Sequence, residues 1–130
     1  GIDVRFLGHL LYDISLAFAY SAADVFVAPS IQENLSNMVM VAMACGVPCV
    51  AFNIGGMPDM IDHRRTGYLV KPYKVNDLAE GLLSLLVDDD TRSEFSKRCR
   101  HKVEEEFSDV NTARRYASLY EQLLYADSGF

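Results

Sequence analysis

No run of apolar residues in the sequence approaches the roughly 20 that a bilayer-spanning helix needs. The N-terminus likewise has no basic region followed by an apolar stretch and a cleavage site. With neither export nor membrane spanning signalled, the expected location is the cytoplasm. Cysteine is scarce and odd in number: Cys45, Cys49 and Cys99 form no even disulfide framework, and Cys45 with Cys49 lacks a second pair or histidines at metal-ligand spacing. All three fit small core residues in a reducing compartment, with no metal and no cofactor implied. Positive charge is in deficit, with 12 Lys and Arg against 18 Asp and Glu and a formal net charge of -6. Nonspecific nucleic-acid binding needs clustered Lys and Arg, so a nucleic-acid partner is not expected. Arg64 and Arg65, and the group Lys97, Arg98, Arg100 and Lys102, sit among acids as solvated faces, which leaves room only for a local anion site. No G-x-G-x-x-G follows a strand, which disfavours a dehydrogenase-type dinucleotide fold. Ser30 and Ser36 have no base at nucleophile-elbow spacing, which removes the support for acyl transfer.

What is present is a chain of 130 residues, half of them apolar, enough to bury one core. Without a repeat, linker or low-complexity stretch, residues 1–130 make a single domain. Four short apolar, β-branched runs, Val4 to Leu7, Val25 to Ala28, Pro48 to Phe52 and Gly67 to Val70, alternate with helical patterns. Near-continuous apolarity suits strands covered on both faces, and strands alternating with helices imply an α/β class with a parallel sheet. Asp13 is placed to cap a helix with Leu16, Ala19, Tyr20 and Ala23 along one face. A second helix, starting near Ser36 and stopping at Cys45 and Gly46, is apolar nearly all round and is expected to be buried except at its N-terminal end. Three more helical patterns follow. One has an Asn76 cap and Leu78, Leu82, Leu85 and Leu86. The next has Thr91 and Glu94 in capping-box spacing, with Phe95, Cys99 and Val103 inward. The last runs from about Asp109 with Ala113, Tyr116, Ala117, Tyr120 and Leu124 as its stripe.

In an open parallel sheet, ligands collect at the carboxyl ends of strands. The second such loop joins the carboxylate of Glu33 to a helix start near Ser36, whose free N–H groups favour an anion such as phosphate. In the next loop, Gly55 and Gly56 give a side-chain-free approach suited to backbone contact with a ligand.

The segments Val4-Arg5-Phe6-Leu7-Gly8, Ala22-Ala23-Asp24-Val25-Phe26-Val27-Ala28-Pro29-Ser30, Glu33, Ala42-Met43-Ala44-Cys45-Gly46-Val47-Pro48, Gly55-Gly56-Met57-Pro58-Asp59-Met60-Ile61 and Thr66-Gly67-Tyr68-Leu69-Val70 occur in this order. Together they resemble the retaining GT-B glycosyltransferases of glycosyltransferase family 4. The resemblance implies the Rossmann-like C-terminal half of a GT-B fold, truncated at its N-terminus. It implies a UDP-, GDP- or ADP-sugar donor, transfer with retention to a glycan or lipid, and an acceptor held by a separate N-terminal domain at the inner face of the membrane. No metal is needed for the pyrophosphate. Gly8 and His9 then fall where the family lines its base pocket, and Glu33 matches the first of a pair of glutamates, the one facing the transferred sugar. Asn34 follows it in the same loop, Leu35, Ser36 and Asn37 occupy the stretch whose amides meet the pyrophosphate, and Gly55 and Gly56 line the sugar side of the cleft. The Glu33 to Asn37 variant is similar to that of bacterial enzymes that build surface polysaccharide.

Two departures stand out. The second glutamate, which accepts hydrogen bonds from the ribose hydroxyls, belongs at position 41, where this chain has Val41. Each such bond lost to a charged acceptor costs roughly 1.5–3 kcal/mol, about one to two orders of magnitude in affinity. The family's domain also opens with two further strands and supplies an Arg and a Lys to the pyrophosphate ahead of the point where this sequence starts. A sheet lacking the first of those strands leaves its edges exposed, so either self-association or a rearranged first strand is expected. Against these stand plainer roles. Glu33 alone would be an ordinary loop carboxylate, Met38, Met40 and Met43 core filling, and His63 and His101 surface positions. Tyr116, Tyr120 and Tyr125 would be packing residues. The functional alternatives are a noncatalytic nucleotide-sugar or partner-binding module and, less favoured, a GT-B sugar-nucleotide epimerase. Incubated alone with sugar nucleotide and acceptor, the chain is expected to give no transferase turnover; measurable product would contradict this.

Overall fold

A computed structural model of the chain describes residues 1–126. Its sheet has three parallel strands in the order β1 (Phe26–Ala28), β2 (Cys49–Phe52) and β3 (Gly67–Val70). The register pairs Val27 with Val50 and Val50 with Tyr68. Every residue of β2 is buried. Because strand side chains alternate in direction, Cys49 and Ala51 enter one apolar cluster with Val39, Ala42, Met43, Met57, Met60 and Ile61, while Val50 and Phe52 enter a second with Leu78, Leu85 and Phe95.

The fourth expected strand is not formed. Residues 1–11 take no regular structure, and Ile2, Val4, Phe6 and Leu7 are exposed. A strand is stable only when its N–H and C=O groups find a ladder, and none of the described residues supplies one to Val4 to Leu7. The edge of β1 away from β2 is likewise unpaired among the described residues.

The first helix, α1 (Asp13–Ser21), begins one residue earlier than an Asp13 cap would place it. Tyr12 is the cap and makes no side-chain cap bond, and Asp13 sits in the first turn, where its charge still suits the helix dipole. Leu16, Ala19 and Tyr20 are half-buried and Ala23 lies exposed beyond the helix, so α1 leans on its neighbours more than it covers the sheet. Tyr20 meets Phe26 edge to face, with ring centroids 5.4 Å apart.

The second helix, α2 (Asn37–Ala44), is bounded as the sequence suggests. Ser36 accepts a hydrogen bond from Val39 N–H. At the other end Gly46, at φ 76°, donates to Met43 O while Val47 donates to Ala42 O, both at 2.9 Å, the paired bonds of a Schellman stop. Burial is one-sided: Val39, Ala42 and Met43 are enclosed, but Met38 is exposed.

After the short α3 (Met57–Met60) and β3, α4 (Val75–Val87) packs on β2 and β3. It buries Leu78, Gly81 and Leu85, while Leu82 is half-buried and Leu86 exposed. Lys74, not Asn76, occupies its cap position, and Asn76 lies within the first turn. The capping expected of Thr91 belongs to Asp88, which precedes α5 (Asp89–Lys102) and accepts from both Thr91 N–H (2.9 Å) and the Thr91 hydroxyl (2.7 Å). These bonds hold the Asp88 carboxyl below its ordinary value. Phe95 and Cys99 point inward as expected.

A π-helical turn (Val103–Phe107) leads into α6 (Asp109–Ala126), which has no buried residue. None of the helices in the described residues is long and apolar enough to cross a membrane. Lys102 ties the end of α5 to the loop before β3 through Asp62 at 2.8 Å, with Glu106 at 3.4 Å. Burial lowers the Lys102 ammonium's pKa, but the bond and charge of Asp62, joined by Glu106, outweigh it and leave the group above its ordinary value.

Cys49 and Cys99 behave as core residues. Burial, with a further push from Cys99, raises the Cys49 thiol well above its usual range. Burial, then the charge of Asp62, takes Cys99 to about 12. Replacing Leu85, fully enclosed in the second cluster, by Ala is expected to cost about 2–5 kcal/mol in urea denaturation. Replacing the exposed Leu83 should stay within about 0.5 kcal/mol.

Candidate functional site

Two loops leave the carboxyl ends of β1 and β2 side by side. Between them lies a cleft of about 480 Å³ lined by Ile31, Gln32, Glu33, Asn34, Ile54 and Gly55. This is where an open parallel sheet places its ligands.

The first loop carries Glu33, half-buried, whose Oε1 accepts from the N–H of Asn34 at 3.2 Å. The loop then runs through Leu35, 45% exposed, into Ser36, which is buried with its hydroxyl accepting the helix-cap bond from Val39 N–H. Asn37 begins α2 and is exposed. In the first turn of a helix the backbone N–H groups have no intrahelical acceptor, so the α2 start carries donors and a partial positive charge.

The second loop is fixed from below. Asn53 N–H donates to Val70 O at 2.7 Å, Ile54 packs against both apolar clusters, and Met57 is fully buried. It meets the first loop backbone to backbone, with Gly56 N–H donating to Asn34 O at 2.6 Å. A methyl on Gly55 would drive into the Glu33 carbonyl, and one on Gly56 into the Asn34 carbonyl. The side-chain-free face of the pair is therefore filled by the neighbouring loop, where the sequence suggested a ligand.

Of the residues singled out from sequence, Glu33, Asn34 and Gly55 line the cleft. Gly56 abuts it through Asn34, and Leu35, Ser36 and Asn37 follow at the helix start. Val41 is half-buried one turn into α2 and is not part of the lining. Gly8 and His9 are exposed in the irregular N-terminal segment and are not brought to the cleft, because the strand that would carry them there does not form. Ile31, Gln32 and Ile54 were not singled out as ligand-site residues. Ile54 had a usable signal, as an apolar residue just past a buried strand, but Gln32 had none beyond its place beside Glu33.

The other histidines are engaged elsewhere. His63 Nδ1 accepts from Leu69 N–H at 3.1 Å and its ring stands edge-on to Tyr68, while His101 lies beside Glu105 on the surface. Among the described residues no group of three or more His, Cys, Asp or Glu is arranged to hold a metal ion.

Residues 1–88 match the family model of the glycosyl transferases group 1. The chain belongs to that family. It is similar to the sucrose-phosphate synthase of Thermosynechococcus elongatus, at 36% identity and TM-score 0.78 over 86% of this chain and 28% of the other. It is similar to the C-terminal domain of a group 1 glycosyl transferase family protein, LpcC, from Francisella tularensis, at 25% identity and TM-score 0.72 over 80% of this chain and 53% of the other. It is also similar to S. aureus TarM in complex with UDP, at 25% identity and TM-score 0.74 over 84% of this chain and 22% of the other. The three-stranded parallel sheet with its flanking helices thus corresponds to the C-terminal domain of the GT-B glycosyltransferases. Two curated relatives match at 30% and 40% identity, and the chain spans 30% and 21% of their respective lengths.

The group 1 domain presents its α2 terminus through the Ser36 cap. Ser36→Ala is expected to lower stability by about 1 kcal/mol, measured by thermal denaturation, whereas Asn37→Ala, which removes no cap, should leave it nearly unchanged.

Proposed function

We propose that the chain is the donor-binding part of a retaining, family 4-like glycosyltransferase that moves a sugar from a nucleotide-sugar to a glycan or lipid acceptor. The observation that carries this is the meeting of Glu33, Asn34 and Gly55 in one cleft beside the start of α2. A pyrophosphate at that helix start is stabilised by free N–H groups and the dipole. A carboxylate a few residues away suits the hydroxyls and developing positive charge of the transferred sugar. The departing nucleoside diphosphate is stabilised by preorganised donors, which asks for no metal. UDP bound to the structurally similar TarM supports a nucleotide here.

In this assignment Glu33 faces the sugar, Leu35 to Asn37 meet the pyrophosphate, and Gly55 and Gly56 border the sugar side. Gly8 and His9 serve a base pocket only if the N-terminal segment becomes ordered against the domain. The acceptor belongs to a further domain of a longer protein, at the cytoplasmic face of a membrane, in the making of surface polysaccharide. Self-association through the free edge of β1 belongs to the same proposal.

A second interpretation rests on one residue. Val41 cannot accept hydrogen bonds from a ribose, which favours a noncatalytic nucleotide-sugar or partner-binding module of the same fold. A sugar-nucleotide epimerase on this scaffold ranks below both, since the Ala42 to Pro48 and Gly55 to Ile61 segments resemble the transferases.

Calorimetric titration of the chain and of Val41→Glu with UDP, GDP, ADP and their glucose or mannose conjugates separates these. The expected result is selective binding of one base, tightened about 10- to 100-fold by Val41→Glu. Absence of binding by either protein would favour the module.

A further inference from the structure

We propose that Gly55 and Gly56 are positioning residues, holding the Glu33 loop in register through a backbone latch. The two loops are unequally supported. The glycine loop is pinned at three points, by Asn53 N–H on Val70 O, by Ile54 between the two cores, and by Met57 beneath. The Glu33 loop leaves the core at buried Ala28 and re-enters it at buried Ser36, and between them it is mostly exposed, with Ile31 at 60% and Leu35 at 45%. Between these ends, among the described residues, the hydrogen bond that ties it to another segment is Gly56 N–H to Asn34 O at 2.6 Å.

The two glycines are required for different reasons. Gly55 has φ 49°, in the left-handed region, and its side-chain direction is closed by the Glu33 carbonyl. Gly56 has φ -85°, which any residue adopts, so only the Asn34 carbonyl keeps a side chain out. A methyl at position 56 therefore leaves local backbone conformation allowed and acts by pushing the Glu33 loop off its seat. The latch sets where Glu33 stands relative to the α2 terminus. Its effect on the sugar is exerted through Glu33. What the latch serves rests on the donor-site proposal above; its existence does not.

The test compares the wild-type chain with Gly56→Ala, and with Gly46→Ala as a control. Gly46 has φ 76° and a methyl there meets Ser96 Oγ at 2.9 Å, so it is a strained site remote from the cleft lining. In the wild-type chain the Gly56 amide is expected to exchange slowly with solvent; exchange at the free-peptide rate overturns the latch without recourse to any variant. In Gly56→Ala, backbone order parameters at Glu33 to Leu35 should fall from about 0.85 to below about 0.6, and stay at wild-type values in Gly46→Ala. Unchanged order in Gly56→Ala also overturns the proposal.

With UDP and UDP-glucose as probes, Gly56→Ala should lower the ratio of UDP-glucose to UDP affinity about 10-fold, with UDP affinity changed less than about 3-fold. Gly46→Ala should lose stability but keep the ratio. A ratio equal to wild type in Gly56→Ala overturns the positioning role. A wild-type chain that binds none of UDP, GDP, ADP and their glucose or mannose conjugates sinks the donor-site reading instead, with the latch still judged by exchange and order.

Discussion

The fold hangs on the burial of β2 from both sides. Four consecutive residues, Cys49 to Phe52, are enclosed, and both ladder edges are taken by parallel neighbours. Such a strand has nowhere to send a polar side chain, and its alternation feeds two separate cores. One core seats α2 and α5 and the other seats α4, with Gly81 letting α4 come within van der Waals reach of Val50 and Tyr68. Gly67 allows β3 to lie against the Cys49 carbonyl. The cleft inherits its position from this strand, because the loops that form it are where β1 and β2 end.

Much of this architecture was legible because it is local or periodic. The three strands that form are those whose sequence is uniformly apolar, and Ser36 and Gly46 bound α2 through caps that involve only nearby residues. The failures have physical causes of their own. Val4 to Leu7 has strand composition, but composition cannot supply a ladder partner. Asp13, Asn76 and Thr91 are all good cap residues by type, yet the caps fall at Tyr12, Lys74 and Asp88, because several residues within a turn compete for the position and tertiary packing chooses among them. The all-round apolarity of α2 suggested burial everywhere but at its N-terminal end. Met38, exposed in the first turn, lies at that end, whereas exposed Ala44 shows that the last turn is open as well.

The site was legible at its carboxylate and less so in its architecture. Glu33 and the glycine pair were found as separate motifs on separate loops, and no spacing rule says that Gly56 bonds to Asn34, since that contact depends on how far β1 and β2 carry their loops. The glycines invited the idea of an approaching ligand; the space a side chain would take is filled by the chain itself, while Gly55 still lines the cleft. Gly8 and His9 were placed in a ligand-facing loop on the premise of a first strand at Val4 to Leu7, and without that strand they stay exposed. Val41 was visible as a departure from the family pattern, and its half-buried place on α2 gives no compensating polar group of its own.

The two enclosed thiols have a use beyond packing. Cys49 and Cys99 show no exposed surface, and both are held as thiols far above neutral pH. Only the thiolate attacks a thiol-specific reagent. Either sulfur can therefore react only when the domain opens, whereas Cys45 keeps part of its surface exposed in the folded domain. The chain carries an internal clock: one cysteine answers to surface access, Cys49 reports how often the central strand is uncovered, and Cys99 how often α5 lifts from the core.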